Sequence, residues 1–541
     1  MTATKLEFPT TRLEDLPYLQ GRQLNFDSIA EMFYTRVNEE PDAIHVLYYD
    51  QVITYAQTNQ RANQVAHYLK GKGVQKGDVV SIMVLNSPEN YYTMFGAQKL
   101  GAVAGAVNYM LKGPEIAYLL DDCQPKVAFV SSEFMKDFAA GYALAQHKPV
   151  VVEVVTGVEH DSHINECTLA DILSQYPVTE TLVKQNPDDP FMLLYSSGTT
   201  GNPKGILLSN KGQLSICRDM NRIRLFQGKD VMMIILPMFH TNPLCVWTYP
   251  LTYGGHTICI RKTFSPLDFW PAVMQYGVTV VFGVPTMFNY IYNAADPKII
   301  NPAKLKIRYA FSGAAPLPVE LIHGFKEKFN IEIVEGYGLT EVSGVSTVNP
   351  PAGKKIPGSV GLPYPEQEIA LMDENNQIMP PGEPGEICVR SDANMLAYLN
   401  QPDATAETIK DGWLHTGDVG RLDEYGYLYI VDRKKDMINR GGENIYPREI
   451  EIAIEANTKV SEVAVIGVPD PALGEKVKAF IITRPNQSLS VDEIKEFLQD
   501  KIAKYKIPEF IEITNDIPRN PTGKILKKEL REMEAAKTMK E

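Results

Sequence analysis

The chain has 541 residues, 44% hydrophobic and 22% charged, an ordinary globular composition that excludes disorder, collagen and coiled coil as descriptions of the whole. At about 150 residues per domain, the length suggests roughly three to four domain-sized units. Acids outnumber bases 66 to 53, a net charge of −13, and without clustered positive charge the chain lacks the footprint of a nucleic-acid binder.

From Met437 to Glu541 there are 17 bases and 18 acids, so nearly all the excess acid lies earlier. The 6 cysteines, Cys123, Cys167, Cys217, Cys245, Cys259 and Cys388, form no CxxC pair. That spacing suits a reducing, cytoplasmic location better than a disulfide framework or a zinc site. The first residues, MTATKLEFPTTRLEDLPYLQ, are polar and do not read as a signal peptide. No apolar run approaches about 18 residues, so no integral membrane segment is expected. The terminal KTMKE is not a peroxisomal address.

Along the chain, Val79–Leu85 reads as a buried strand, Glu89–Leu100 as a helix, Ala102–Val107 as a second strand and Val127–Val130 as a third. Strand, helix and strand at this spacing indicate parallel βαβ units. Further buried strands are expected at Phe191–Tyr195, Gly205–Ser209, Val231–Leu236 and Val278–Phe282. Gly-Pro clusters from Asn349 and from Met379 indicate turns in a β-rich region. A boundary falls at the charged segment 432–436. It separates a large N-terminal α/β domain, 1–431, from a small, mobile α+β C-terminal domain, 437–541. The small domain reads as a helix at Arg448–Ala456, strands at Val463–Val468 and Val477–Ile482, and helices at Val491–Ile502 and Lys524–Glu534. The tail after Ala535 is expected to fray.

The densest chemistry lies at Ser196-Ser197-Gly198-Thr199-Thr200-Gly201-Asn202-Pro203-Lys204-Gly205. Glycines let backbone N–H groups approach an anion, hydroxyls donate further bonds, and Lys204 adds a point charge. These are the needs of a triphosphate. It is not a Walker loop, which would have Gly at 203, Ser or Thr at 205, and a helix next. A ligand-free Gly/Thr-rich hairpin is the plainer reading, and the density of donors speaks against it. A second cluster, Glu159-His160-Asp161 with His163 and Cys167, has metal-ligand types, but its polar context favours a solvated loop.

The phosphate segment resembles that of the adenylate-forming superfamily: acyl- and aryl-CoA synthetases, luciferases and peptide-synthetase adenylation domains. The resemblance continues in order along the chain, and its look is closest to the fatty-acyl-CoA synthetases. Leu236-Pro237-Met238-Phe239-His240 resembles the family's aromatic segment beside the carboxylate. Ser312-Gly313-Ala314-Ala315-Pro316 and Glu335-Gly336-Tyr337-Gly338-Leu339-Thr340-Glu341 resemble its adenine and acyl-pocket segments. Trp413-Leu414-His415-Thr416-Gly417-Asp418 resembles its ribose-binding turn, 432–436 its hinge, and Asn520-Pro521-Thr522-Gly523-Lys524 the loop of its catalytic lysine.

The resemblance implies ATP, Mg²⁺ and coenzyme A as cofactor and co-substrates. It places ATP or AMP against Ser196, Ser197, Gly198, Thr199, Thr200, Lys204, Gly313, Ala314, Ala315, Glu335, Gly336, Tyr337, Gly338, Thr340, Asp418, Arg433 and Lys524. Lys524, His240, Thr200 and Glu341 are implied as catalytic, and Glu341 with Thr200 as the Mg²⁺ ligands. Lys435 would be the pivot and Gly441, Gly442 and Glu443 would lie along coenzyme A. By residue type, Asp418 is an acceptor suited to two ribose hydroxyls or simply a turn cap. Arg433–Asp436 alone would be a solvated charged turn, and Lys524 alone a surface lysine.

The shared first step makes an acyl-adenylate from a carboxylate and ATP. Val231–Ile260 contains no Asp or Glu, so an α-amino acid would leave its ammonium uncompensated in an apolar pocket. Acetate-specific relatives close the pocket with an aromatic where Gly338 stands. Glycine implies a deeper tunnel lined by Met238, Phe239, His240, Thr241 and Val345, for a medium- or long-chain fatty acid or an aryl or alicyclic acid. The leading second step is thiol transfer to coenzyme A. The alternatives are loading of a carrier protein and, from another class, a non-catalytic nucleotide-binding protein; a light-emitting oxygenase has no residue in its favour. Oligomeric state is left open.

Overall fold

The computed structural model describes residues 25–157, 164–196, 203–296, 300–315, 317–351, 353–441, 443–519 and 525–538. They divide into two compact units: a large one of residues up to 368 with 389–414, and a smaller one of 369–388 with 415 onward. Length alone suggested three to four units. The count is lower because two large sheets belong to one unit.

The first of these sheets has eight strands. In spatial order they are Ala397–Tyr398, Lys204–Ser209, Pro190–Ser196, Val103–Ala106, Val79–Met83, Val127–Ser131, Val150–Val154 and Asn165–Thr168. From Pro190–Ser196 to the last they pair in parallel; the first two add antiparallel strands at one edge. Helices such as Pro88–Lys99 connect them, and strands buried on both faces read as unbroken apolar runs. The second sheet has nine strands. It runs from Leu362–Pro363 and Thr347–Val348 through parallel strands Glu332–Tyr337, Tyr309–Ser312, Val280–Gly283, Val231–Ile234, Thr257–Ile260 and Ile44–Tyr48, to the edge strand Gln51–Thr54. One side of it buries Met233, Trp270, Phe288, Phe325 and Phe329 in a single apolar cluster.

Two early helices were not anticipated. Ile29–Glu39 is capped by Ser28, which accepts from the Glu31 N–H, and Tyr55–Gly71 by a Thr54–Gln57 capping box. The apolar run from Val231 is a strand only to Ile234. Beyond His240 the chain winds into a π-helix, Asn242–Thr248, in which the Thr248 hydroxyl donates to the Pro243 carbonyl at 2.8 Å.

In the smaller unit, Val460–Asp470 and Gly474–Thr483 form a long hairpin in a five-stranded sheet. Ile438, Ile450, Val465, Ala479 and Ile494 fill one core, and Ile466, Phe480, Ile517 and Leu530 a second. The segment 432–436 lies inside this unit. The helix expected over 491–502 stops at Leu498, and the terminal helix runs Lys527–Thr538, past the residue where fraying was expected. No helix among the described residues is long and apolar enough to cross a membrane.

Candidate active site

Strand pairing positions the mouth of the Gly- and hydroxyl-rich loop. Ser196 and Lys204 are directly opposed residues of the antiparallel pair Pro190–Ser196 and Lys204–Ser209. Behind it, the Tyr195 hydroxyl donates to Asp122 at 2.7 Å and the Tyr118 hydroxyl to the Pro203 carbonyl at 3.2 Å. Ser197, Gly198, Thr199, Thr200, Gly201 and Asn202 lie outside the described residues, as do Pro316, Gly442 and the loop with Lys524. So do residues 158–163 of the second metal-ligand cluster.

Lys204 Nζ sits 4.6 Å from the ring centroid of Tyr398, and the Tyr398 hydroxyl donates to Glu341 Oε1 at 3.0 Å. The phenol therefore links the Lys204 cation to the carboxylate implied in Mg²⁺ binding. Tyr398 was not anticipated; it is 57 residues from Glu341, and no local pattern joins them. Glu341 opens from a 3₁₀ turn, Thr340–Val342, held by the Thr340 and Thr241 hydroxyls 2.7 Å apart.

Thr241 also ties this turn to the aromatic segment. Met238, Phe239 and Thr241 are buried, and the Phe239 ring lies 4.2 Å from the His240 ring. Burial pulls His240 down to about 4, and its buried Nε2 has no hydrogen-bond partner among the described residues. At neutral pH it is an uncharged imidazole. The following π-helix packs on Gly344, whose φ is +97° and whose added Cβ would lie 2.6 Å from Val246.

Gly338 has a packing reason for being glycine, beside the tunnel implied by resemblance. A Cβ there would lie 2.4 Å from the Gly344 carbonyl oxygen and 2.5 Å from Val345 Cα. The glycine lets two backbones touch, so a bulky residue would displace that backbone before it shortened any tunnel. Gly336 and Gly313 are similarly close to backbone, with added Cβ atoms 2.9 Å from Thr347 O and 3.2 Å from Gly336 O. Ala314 holds a left-handed φ of +68°, a strained conformation of the kind found where ligands are gripped. Beside it in the fold, Glu335 and Tyr337 end the strand Glu332–Tyr337. Glu335 is buried and accepts from the Gly358 N–H at 3.0 Å; burial pushes its carboxyl up to about 7.

The smaller unit holds the remaining implied residues. Asp418 lies within a ten-residue strand, Trp413–Leu422, rather than a free turn. The bend comes from Gly417, at φ +71°, and a register shift at Val419/Gly420. Asp418 pairs across the sheet with Arg433, whose Nε is 3.3 Å from Asp418 Oδ1. The solvated charged turn expected from residue types alone is not what forms at 432–436. Lys434 and Lys435 are exposed, but Asp432 and Asp436 are buried. Asp432 accepts from the N–H groups of Arg433 and Arg448, and Asp436 from Arg531 at 2.5 Å. Gly441, at φ +61°, turns the hairpin between Ile438–Arg440 and Glu443–Ile445, and its N–H donates to the Leu473 carbonyl. Glu443 is exposed.

The AMP-binding enzyme family matches residues 33–399, and its AMP-binding enzyme C-terminal domain matches 449–524. The long-chain-fatty-acid–CoA ligase of Mycobacterium tuberculosis is 36% identical over 489 residues, 90% of this chain and 94% of that protein. A fatty acid–[acyl-carrier-protein] ligase of Streptomyces coeruleorubidus is 32% identical over 501 residues, 91% of this chain and 94% of its own length. Among solved structures, an anthranilate CoA ligase in complex with anthranoyl-AMP superposes with a TM-score of 0.86 at 27% identity, covering 98% of this chain and 100% of that one.

Proposed function

The chain belongs to the AMP-binding enzyme family, and from that premise we propose that it is an AMP-forming acid–thiol ligase making acyl-CoA from a medium- or long-chain fatty acid or an aryl acid. In the first step a carboxylate oxygen attacks the α-phosphorus of ATP and pyrophosphate leaves. In the second a thiol sulfur attacks the acyl carbon and AMP leaves.

The observation that carries this reading is the chain Lys204–Tyr398–Glu341, which sets a cation and a carboxylate around one phenol at the mouth of a Gly- and hydroxyl-rich loop. Lys204 and the loop N–H groups would hold the phosphates. Glu341 and the Thr200 hydroxyl are hard oxygen donors of the kind Mg²⁺ takes, and the ion would supply neutralisation of phosphate charge. Asp418 would accept from the ribose hydroxyls, with Arg433 fixing its orientation. Glu335 to Thr340 and Gly313 to Ala315 would surround the adenine. Lys524 would neutralise charge at the α-phosphate. Lys435 would be the pivot on which the small domain turns, and Gly441 to Glu443 would lie along the pantetheine. The buried, acid-free Val231–Ile260 segment and the neutral His240 support an acid without an ammonium group.

The test separates the two steps. Lys524→Ala should cut adenylate formation by about two to three orders of magnitude while synthetic acyl-adenylate and coenzyme A still give thioester. Gly441→Asn tolerates the left-handed backbone but adds a side chain, and should slow the second step alone. Loss of the same half-reaction in both variants would overturn the two-conformation reading. The similarity to a carrier-protein ligase keeps one other thiol in play. Assaying thioester formation with free coenzyme A against holo carrier protein distinguishes them.

A further inference from the structure

Glu386, Cys388 and His415 lie on two strands of the smaller unit. Glu386 and Cys388 are two apart on Gly385–Arg390, so their side chains share one face. His415 stands on the neighbouring strand Trp413–Leu422. His415 Nδ1 is 3.2 Å from Glu386 Oε2 and 3.4 Å from Cys388 Sγ, and one oxygen, one sulfur and one nitrogen lie within 4.8 Å of each other. Cys388 is fully buried, and the other two side chains are about nine-tenths buried.

We propose that Glu386, Cys388 and His415 form a binding site for a zinc ion, independent of the Mg²⁺ that Glu341 would hold. Tetrahedral zinc with these donors places its ligand atoms roughly 3.3–3.7 Å apart, within a few tenths of an ångström of the two separations above. One metal ion can accept the lone pairs of the Nδ1, Oε2 and Sγ atoms together. The donor set is that of zinc, not of Mg²⁺ or Ca²⁺, which take oxygen. Coordination releases one proton, from the Cys388 thiol to solvent. The thiolate and carboxylate then balance the ion's two positive charges, so the buried site is neutral.

The surroundings are arranged for this. Glu386 Oε1 accepts from the Gly417 N–H at 3.0 Å, leaving Oε2 to the metal and fixing the carboxylate. The Thr416 hydroxyl donates to the Ile387 carbonyl at 2.7 Å and locks the two strands together. Lys434 Nζ, 3.2 Å from Oε2 and 56% exposed, is the group the ion would displace, a surface pairing of small worth.

The test is titration of chelator-treated full-length protein with Co²⁺, then Zn²⁺. One equivalent of Co²⁺ should raise a near-ultraviolet thiolate-to-cobalt band with tetrahedral visible absorption, and Zn²⁺ should bleach both. Cys388→Ser should abolish the near-ultraviolet band and weaken zinc about a hundredfold or more, beyond the loss typical of a mere supporting group. His163→Gln, in the polar cluster near Cys167, should change neither. Zinc should raise the melting temperature of the wild type and not of Cys388→Ser. If Cys388→Ser fails to fold, His415→Gln and the wild-type cobalt spectrum decide. No thiolate band at one equivalent, a band that survives loss of Cys388, or one lost in His163→Gln overturns the proposal. None of these readouts uses ligase activity, so their failure is distinct from failure of the ligase reading.

Discussion

Glu335 in the large unit and Asp418 in the smaller one are each 8% exposed, yet their environments differ in kind. Glu335 meets one N–H, from Gly358, and burial pushes it up to about 7. Asp418 sits across the sheet from the Arg433 guanidinium. The contrast extends through both regions. Away from Lys204 and Glu341, the large unit's candidate site is walled by neutral groups such as His240, Phe239 and the glycine backbones of 336, 338 and 344. The smaller unit orders its residues through ion pairs: Asp436 with Arg531, Arg448 with Glu455, and Lys478 with Glu512 and Glu534. One region is a desolvated surface sensitive to pH and volume; the other is a charged one sensitive to salt and to loss of a partner.

The hardest test of the large unit's close packing is Gly338→Ala. Its methyl would press on the Gly344 and Val345 backbone, so stability should fall by about 1–3 kcal/mol or more, and AMP release should drop on every acid alike. A melting curve and an assay from acetate to palmitate check this. A selective loss of long acids would restore the tunnel explanation.

Next is Glu335→Gln, which probes the neutral wall. The folded pKa lies above the ordinary value of 4.5, so the native state keeps a proton that the unfolded chain releases. Stability from this group is whole below 4.5 and is lost as pH rises towards 7. The glutamine variant should match wild type near pH 4 and exceed it by about 3 kcal/mol at pH 8. Denaturant midpoints at the two pH values read this directly. Equal differences at both would mean that the carboxyl takes up protons alike in the native and unfolded chain, and that burial does not raise it.

In the smaller unit, Arg531→Met strips Asp436 of its guanidinium and should cost about 1–3 kcal/mol. The loss should shrink in 1 M salt, where the Debye length is about 3 Å. A salt-independent loss would put this contact with the packing of the other unit. The smallest effect is Tyr398→Phe, which deletes one hydrogen bond to Glu341 and keeps the ring over Lys204. About 0.5–1.5 kcal/mol, or up to roughly tenfold in adenylate formation, is expected, with stability little changed.

Local pattern reached far in this chain. Val79–Met83, Val127–Ser131 and Lys204–Ser209 formed where apolar runs placed them, and Ser196 and Lys204 face each other as a strand–loop–strand reading requires. Such features depend on neighbours a few residues away, where backbone sterics and side-chain period operate. The π-helix at Asn242–Thr248 escaped notice because an apolar, acid-free segment does not distinguish a buried strand from a buried helical turn.

What the amino-acid order determined by itself was the class of elements, the spacing of a Gly- and hydroxyl-rich loop and the absence of Asp and Glu from Val231–Ile260. Tertiary structure alone decided that Gly338 is needed for backbone contact, that Asp432 and Asp436 are buried, that Tyr398 bridges Lys204 to Glu341, and that Cys388 and His415 meet Glu386. Each of these joins side chains or backbones through folding. The energies that matter there, desolvation and close contact, have no value until the strands are packed.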